Sequence, residues 1–316
     1  MADSTPILLS VIVPMFNEEK NIPEFHKRLL QALENLEENW EIIFINDGSS
    51  DRTLFQLIAL HHQDSRLKII SFSRNFGKEI ALTAGIEKAS GQLIIPIDAD
   101  LQDPPELIPE MIEKWREGYQ IVNATRRARH GESWLKRITA EFFYFFINKM
   151  STIPIPKNTG DFRLLSRPVV EALRMMPERT RFMKGLFAWV GFQQATVYYD
   201  RPPRHAGKTK WNYWRLWNFA IDGLSSFSSI PLRIWSYCGL LLSLLAFLYA
   251  GFLVVKTVIF GKDWPGYAST MVAILFLGGI QLISLGVIGE YLGRVYKEVK
   301  MRPLYIVERS YGFDQC

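Results

Sequence analysis

The chain has 316 residues, of which 48% are hydrophobic and 22% are charged, and its formal net charge is +5. This composition excludes an intrinsically disordered chain and a membrane protein with many spans. The positive charge suits a partner that carries phosphate, such as nucleic acid, anionic lipid or a phosphorylated substrate.

The N-terminal part of the chain alternates short apolar runs with helical segments. The runs have the length and residue types of buried strands, and the segments between them have helical spacing or helix caps. Such alternation is typical of an α/β domain with a mostly parallel sheet, which we expect within residues 1–200. The predicted strands are Leu8–Pro14, Glu41–Asn46, Lys68–Phe72, Gln92–Ile97 and Gln120–Ala124, and the predicted helices are 21–38, 52–62, 79–88 and 105–116.

Acidic residues follow two of the predicted strands. Asp47 follows one strand, and Asp98 and Asp100 follow another. Because ligands of parallel sheets bind beyond the carboxyl ends of the strands, these carboxylates mark a candidate site. Two carboxylates at positions i and i+2, with Gln102 nearby, suit a hard cation such as Mg²⁺ or Mn²⁺. The alternative for each motif is an ordinary solvated turn or helix cap.

Basic and aromatic residues occur together in two later segments. Residues 134–150 and 211–227 are rich in Phe, Tyr and Trp, and basic residues flank both. Each segment is either a core helix or an amphipathic helix in the lipid headgroup layer. The combination favours a membrane interface over nucleic acid, for which no binding motif is found.

Two uncharged apolar runs, Ile234–Val255 and Ser269–Gly289, lie within residues 233–293. Each is long enough to cross a bilayer as a helix. Residues 201–232, before the first run, and 294–316, after the second, carry more basic residues than the short connection between the runs. The positive-inside rule therefore predicts a multi-pass protein with two spans, with its N-terminal domain and both termini in the cytoplasm.

The motifs of the N-terminal domain are similar to those of family 2 glycosyltransferases, which have the GT-A fold, a Rossmann-like nucleotide-sugar domain. The similarity rests on three segments and on the two runs that follow, and it extends over nearly the whole chain. Within that family the chain most resembles the polyprenyl-phosphate glycosyltransferases, in particular the bacterial undecaprenyl-phosphate glucosyltransferases. The three segments are Val11–Glu19, Asn46–Asp51 and Asp98–Pro105.

The resemblance implies a role for individual residues. It makes Asp161 and Asp100 the candidate catalytic carboxylates, and Asp98, Asp100 and Gln102 the candidate ligands of Mg²⁺ or Mn²⁺. Contacts with the nucleotide sugar are implied for Pro14, Phe16, Asn17, Glu18, Asp47, Asp98, Arg204 and Lys210. Contacts with the acceptor phosphate are implied for Arg126, Arg127 and Arg129.

Several of these roles have alternatives. Asp161 is either a general base or a positioning residue, since a phosphate acceptor with a second pKa of about 6 needs little deprotonation. The three arginines could form a charged surface loop, and Arg204 and Lys210 could simply attract anionic lipid.

The reaction implied is the metal-dependent, inverting transfer of a sugar from a nucleotide donor to a polyprenyl phosphate at the cytoplasmic membrane face. UDP-glucose is the donor implied by the closest branch, with GDP-mannose or a UDP-aminosugar as alternatives. A processive polysaccharide synthase would need further motifs and spans, and a non-enzymatic nucleotide-sugar-binding scaffold would not need the acidic pair. Small residues in the second apolar run also make a homo-oligomer plausible.

Overall fold

The computed structural model describes residues 7–36, 38–127, 159–176, 178–179, 181, 183–200, 230–260 and 266–313. The predicted interfacial helix 134–150 lies outside these ranges, as do Arg129, Arg204 and Lys210. Most of the predicted basic segment 201–232 lies outside them too.

An eight-stranded mixed sheet forms the centre of the N-terminal domain, with the strand order β7-β5-β6-β4-β1-β2-β3-β8. The strands are β1 Leu9–Met15, β2 Trp40–Asn46, β3 Leu67–Phe72, β4 Leu93–Pro96, β5 Ile121–Arg126, β6 Thr159–Ser166, β7 Gln194–Tyr199 and β8 Val307–Tyr311. Strands β4, β1, β2 and β3 are parallel neighbours, and β5 is parallel to β7. Strand β6 is antiparallel to β4 and β5, and β8 is antiparallel to β3.

Helices cover both faces of the sheet. They are α1 Ile22–Glu34, α2 Thr53–Gln63, α3 Lys78–Lys88, α4 Ile108–Arg116, α5 Arg167–Arg174 and α6 Met183–Trp189, with a short 3₁₀ helix at Pro105–Leu107. Successive side chains of a strand point to opposite faces of the sheet, so alternate residues pack in the hydrophobic core on each face. Val11 and Val13 of β1 pack in the cluster with α1 and α4, whereas Ile12 packs in the cluster with α3 and α5.

The predicted α/β fold is confirmed, and the five predicted strands match β1 to β5 within a few residues. The sheet is more mixed than we expected, because β6 enters it between β4 and β5 against their direction. That insertion places residues 159–161 next to the segment that follows β4. The family resemblance had already singled out one of them, Asp161.

Two long helices, α7 Ile230–Phe260 and α8 Tyr267–Val299, follow the domain. By length and composition, one stretch among the described residues, Val272–Val299, could cross a membrane, and a shorter apolar stretch is found at Tyr237–Tyr249. The second of the two expected spans thus has a candidate helix, and the complete two-span hairpin stays a prediction.

The chain returns to the domain after α8. Strand β8 adds to the edge of the sheet beside β3. Just before β8, the Tyr305 ring stacks on Phe72 with a centroid distance of 4.9 Å, and its hydroxyl donates to Glu87 at 2.6 Å. The predicted polar tail, residues 294–316, therefore includes the end of α8 and a strand packed on the domain.

Candidate functional site

The loops that leave β1 and β2 are joined by hydrogen bonds at the carboxyl edge of the sheet. The backbone N–H of Asn17 donates to the Ser49 hydroxyl at 3.0 Å, and the side-chain oxygen of Asn17 accepts from the N–H of Ser50 at 2.8 Å. The N–H of Glu18 donates to the Thr53 hydroxyl at 2.9 Å. Polar side chains thus fix the two loops to one another at one wall of the candidate site.

Asp47 is buried where β2 ends. Its carboxylate accepts two backbone N–H groups from the loop after β3, from Phe76 at 2.6 Å and from Gly77 at 3.0 Å. Burial raises the pKa of Asp47, and the two N–H donors oppose that rise. The carboxylate expected to meet the nucleobase therefore also holds the loop that leads into α3.

Lys78, the first residue of α3, lies between two of the predicted site residues. Its ammonium group is 2.7 Å from a carboxylate oxygen of Asp98 and 2.5 Å from one of Asp161. Desolvation would lower the pKa of Lys78, but the two carboxylates raise it well above its ordinary value. Lys78 is therefore charged, and it joins the loop after β4 to β6.

Asp161 is the more enclosed of the two carboxylates, with 11% of its side chain exposed against 33% for Asp98. Burial would raise the pKa of Asp161, but Lys78 and Lys184 hold it below its ordinary value. A carboxylate held ionised in this way is a weak base. Such a group is a poor acceptor for a tightly held proton.

Glu79 is a second acidic group beside Asp161. Burial and the Asp161 charge raise the pKa of Glu79 to about 7. One of its carboxylate oxygens accepts the N–H of Met183 at 3.2 Å, which connects α3 to α6. The site therefore contains one carboxylate held ionised and a neighbour that is partly protonated near neutral pH.

The acidic pair after β4 lies on a tight turn. The N–H of Gln102 donates to the Asp100 carboxylate at 3.1 Å, and Leu101 between them has a φ of 61°. A non-glycine residue in this region is strained, and such strain is common at functional sites. The turn places the side-chain oxygens of Asp100 and Gln102 within three residues of one another.

The described residues contain no cluster of three His, Cys, Asp or Glu side chains that could hold a metal alone. Two carboxylates nevertheless fit Mg²⁺ or Mn²⁺, since such ions commonly take one or two carboxylates and complete their shell with substrate phosphate and water. The contact of Asp98 with the Lys78 ammonium shows that this carboxylate already accommodates a cation.

A polar chain links this turn to β5 and β7. The Tyr199 hydroxyl donates to Asp103 at 2.6 Å and accepts from Arg126 Nε at 3.3 Å. Burial raises the pKa of Asp103 to about 6, and the nearby Asp98 adds to that rise. Arg126 is therefore held on the acidic side of the site, where it could meet a phosphate.

The remaining predicted residues have different surroundings. Arg127 is largely exposed, with its guanidinium 4.0 Å from a carboxylate oxygen of Asp200. Pro14 is opposite Ile45 in the β1–β2 pairing, and Phe16 is the first residue of the loop that follows β1. The structure thus brings Asp161 close to the acidic turn that carries Asp98. Arg126 is linked to the same turn through Tyr199.

Sequence reasoning missed Lys78, Glu79, Asp103 and Tyr199. A signal for Lys78 and Glu79 was available, because they follow β3 at the same edge that singled out Asp47 and Asp98. Asp103 lies in the segment Asp98–Pro105, but the family resemblance implies no role for it. Nothing local indicated Tyr199, since its position depends on the pairing of β7 with β5.

The sequence matches two family models. Glycosyl transferase family 2 matches residues 10–174, and the GtrB C-terminal hairpin matches residues 230–295. The first covers the sheet up to α5, and the second begins with α7 and ends within α8.

Known relatives match along almost the full chain. An uncharacterized glycosyltransferase of Synechocystis sp. is 61% identical over 308 residues, which are 98% of this chain and 97% of the relative. The SfII prophage-derived bactoprenol glucosyl transferase of Shigella flexneri is 51% identical over 96% of this chain and 98% of its own. Among solved structures, glucosyl-3-phosphoglycerate synthase of Mycobacterium tuberculosis with Mn²⁺, UDP-glucose and phosphoglyceric acid is 19% identical, with a TM-score of 0.47, over 69% of this chain and 78% of that one.

Proposed function

The chain belongs to glycosyl transferase family 2 and is a glycosyltransferase, and from that premise we propose that it transfers glucose from UDP-glucose to undecaprenyl phosphate. The acceptor is supported by relatives named bactoprenol glucosyl transferase that are about half identical over nearly the full chain. Family membership sets aside the non-enzymatic scaffold.

The observation that carries the proposal is the bridge from Asp98 through Lys78 to Asp161. It brings the acidic turn, where a donor diphosphate would bind, within one side chain of the carboxylate implied to act at the reacting centre. The Lys78 ammonium holds the two carboxylates in place before substrate binds and offsets one of their two negative charges. Such preorganisation is the largest contribution to catalysis in many enzymes.

The proposed reaction is a single displacement. An oxygen of the acceptor phosphate forms a bond to the anomeric carbon, the bond from that carbon to the donor phosphate oxygen breaks, and its electron pair leaves with UDP. Attack opposite the leaving group inverts the anomeric centre. The acceptor phosphate is largely ionised at neutral pH, so Asp161 would position the sugar through its hydroxyl groups and need not remove a proton.

The negative charge that develops on the leaving diphosphate must be balanced. Asp98, Asp100 and Gln102 would hold Mg²⁺ or Mn²⁺, which supplies positive charge to the diphosphate when bound. The Lys78 ammonium lies at the same carboxylate, and Arg126 approaches the turn from β5 through Tyr199. Arg204 and Lys210 would add positive charge from the segment before α7.

The proposed setting is the cytoplasmic face of a membrane. Two spans with both termini in the cytoplasm are supported by helix α8, by the match to the GtrB C-terminal hairpin and by the basic flanks. The two aromatic segments would lie in the headgroup layer beside the acceptor. A homo-oligomer built through the small residues of α8 is part of the same proposal.

The reaction is tested with purified full-length protein in detergent, undecaprenyl phosphate and radiolabelled nucleotide sugars. We expect label from UDP-glucose to enter the organic phase and EDTA to abolish the transfer. If label enters the organic phase only from GDP-mannose or a UDP-aminosugar, that compound is the donor in place of UDP-glucose. If folded protein transfers label from no donor, the proposed reaction is rejected.

Variants assign the site residues. Asp98→Ala combined with Asp100→Ala, and separately Asp161→Asn, should lower kcat by at least about a hundredfold, the effect of losing one group that stabilises transition-state charge. Glu110→Gln, an exposed carboxylate on α4, is the matched control and should leave kcat unchanged.

A further inference from the structure

A groove of about 410 Å³ lies where α8 meets the N-terminal domain. One wall is a single face of α8, because Gly293, Tyr296, Lys297 and Lys300 follow the i, i+3, i+4, i+7 spacing. We name this the interfacial groove. The wall borders open space at Gly293, where an added Cβ would meet no atom within 4 Å.

The opposite wall comes from the domain. Ile80 of α3 and Arg179 contribute to it, and Arg302 belongs to the segment that leads from α8 to β8. The backbone N–H of Arg179 donates to the carboxylate of Glu298 at 2.9 and 3.0 Å, which fixes this wall to α8. The groove is therefore a feature of the junction between the helix and the domain.

The charge of the interfacial groove has one sign. Among the residues that the structure describes, four basic residues and no acidic residue line it, and the basic residues are Arg179, Lys297, Lys300 and Arg302. The Lys300 ammonium also donates to the Tyr296 hydroxyl at 3.2 Å and lies 4.9 Å from the centre of its ring. Clustered cations with no acidic partner in the lining favour a ligand with more than one negative charge, such as a phosphate monoester.

The remaining lining is apolar. Ile80, Pro303 and Leu304 face the same space, so the groove offers an apolar surface beside its cations. It also lies at the C-terminal end of the stretch Val272–Val299, where a helix that crosses a membrane reaches the headgroup layer. A phosphate at the end of a long apolar chain matches both properties.

A simpler explanation is that these cations only orient the protein by the positive-inside rule or complement the C-terminal end of α8. That explanation accounts for Lys297 and Lys300. It does not require Ile80 and Arg179, which belong to the N-terminal domain, to complete the same groove.

The groove is also close to the candidate catalytic centre along the chain. Ile80 is two residues after Lys78, in the first turn of α3, and Lys78 contacts Asp98 and Asp161. One turn of a helix rises by about 5.4 Å. Side chains two residues apart point to different sides of a helix, so the groove and the Lys78 contacts share the first turn of α3 but lie on different faces of it.

We propose that the interfacial groove binds the phosphate of the acceptor lipid, with Arg179, Lys297, Lys300 and Arg302 as its cations. The proposal rests on the function proposed above. It assigns the first binding of the acceptor to the junction of α8 and the domain, and leaves Arg126 to act at the reacting centre.

Binding is measured without donor, so that no turnover occurs, by native mass spectrometry of the full chain in detergent. The probes are undecaprenyl phosphate, undecaprenol, phosphatidylglycerol and inorganic phosphate. We expect retention of undecaprenyl phosphate above all the others. Equal retention of phosphatidylglycerol would show a general anionic-lipid surface, and displacement by equimolar inorganic phosphate would show a free-phosphate site; either result overturns the proposal.

The test variant is Lys297→Gln with Lys300→Gln. Loss of two cations near a lipid surface should weaken binding of undecaprenyl phosphate by about thirtyfold. Lys27→Gln with Lys114→Gln removes the same charge from α1 and α4 and should bind like the unaltered protein. Equal affinities in the two double variants would overturn the proposal.

Steady-state kinetics distinguishes failure of the groove proposal from failure of the proposed reaction. With UDP-glucose, the groove variant should show a higher KM for the lipid and the same KM for the donor. If no protein transfers sugar but the binding contrast persists, the proposed reaction fails and the groove stands as a lipid-phosphate site. If transfer is normal and the contrast is absent, the groove proposal fails alone.

Discussion

The ammonium group of Lys78 is the contact that holds the candidate centre together. It is shared by Asp98 from the loop after β4 and Asp161 from β6, which are 63 residues apart in the sequence. Without a cation between them, the two carboxylates would face each other across a partly enclosed space. Like charges at such a distance would alter each other's pKa and separate the loop from the strand.

Replacement of Lys78 tests this contact directly. We expect Lys78→Met to lower kcat for sugar transfer by about a hundredfold, because the ammonium group that holds Asp98 and Asp161 in place is lost. Steady-state kinetics on purified protein would measure the effect. Lys88→Met, at the exposed end of the same helix, is the control, and a Lys78→Met enzyme as fast as that control would contradict the role.

The raised pKa of Glu79 predicts a pH dependence of stability. Between its ordinary pKa of 4.5 and its folded pKa of about 7, the folded protein binds a proton that the unfolded chain has lost. Stability should therefore fall as the pH rises through this window, by up to about 3 kcal/mol from this one group.

Glu79→Gln removes this titration and keeps an oxygen to accept the Met183 N–H. We expect the Tm of the variant to fall less than that of the unaltered protein between pH 4.5 and 7, as measured by thermal unfolding in detergent. Glu110→Gln, at an exposed position, should retain the original pH slope. Identical slopes for all three proteins would rule out Glu79 as the source.

Among the secondary-structure elements, the loops at the carboxyl ends of the parallel strands form one wall of the candidate site. Gly48 has a φ of 65°, and a Cβ atom there would lie 2.4 Å from the backbone carbon of Arg74. The loop after β2 therefore packs directly on the loop after β3. This packing lets Asp47 reach the N–H groups of Phe76 and Gly77.

Gly48→Ala should separate these two loops. We expect UDP to bind at least about tenfold more weakly to the variant. Backbone strain at this position should also lower the stability of the fold by about 1–3 kcal/mol. Isothermal titration with UDP would measure the binding. Gly118→Ala is a matched control, because Gly118 has a φ of 106° but no atom within 4 Å of a built Cβ; similar losses in both variants would show that strain alone is responsible.

On the scale of the whole molecule, the C-terminal end of α8 is connected to the domain. The chain leaves α8 to form β8 at the sheet edge. The Arg179–Glu298 contact and the Tyr305–Glu87 hydrogen bond reinforce this return. The domain is thereby held close to the end of α8, where a lipid substrate would arrive.

The two-span arrangement predicts which parts of the chain are accessible from each side of a membrane. In a variant in which Cys238 and Cys316 are replaced by Ser, a cysteine introduced at Lys262, between the two apolar runs, should react with an impermeant maleimide added outside intact cells. A cysteine at Lys20, in the N-terminal domain, should react only after the cells are opened. Labelling of both positions from the outside would contradict a cytoplasmic domain.

The sequence by itself determined the parallel half of the sheet and the loops with Asp47 and Asp98, because periodic burial and strand-end positions are local signals. It also determined the family, through motifs that lie in those same loops. Asp161 was identified by resemblance alone. No local pattern indicated that β6 would pair antiparallel between β4 and β5.

The tertiary structure alone decided which charged groups meet. The contact of Lys78 with Asp161, the chain from Arg126 through Tyr199 to Asp103, and the interfacial groove each join residues from separate elements. Such contacts depend on strand order and on the return of β8 to the sheet edge, which are set by packing of the whole chain. A single sequence encodes these long-range pairings only through the total free energy of the fold, so they could not be derived from the spacing of residues.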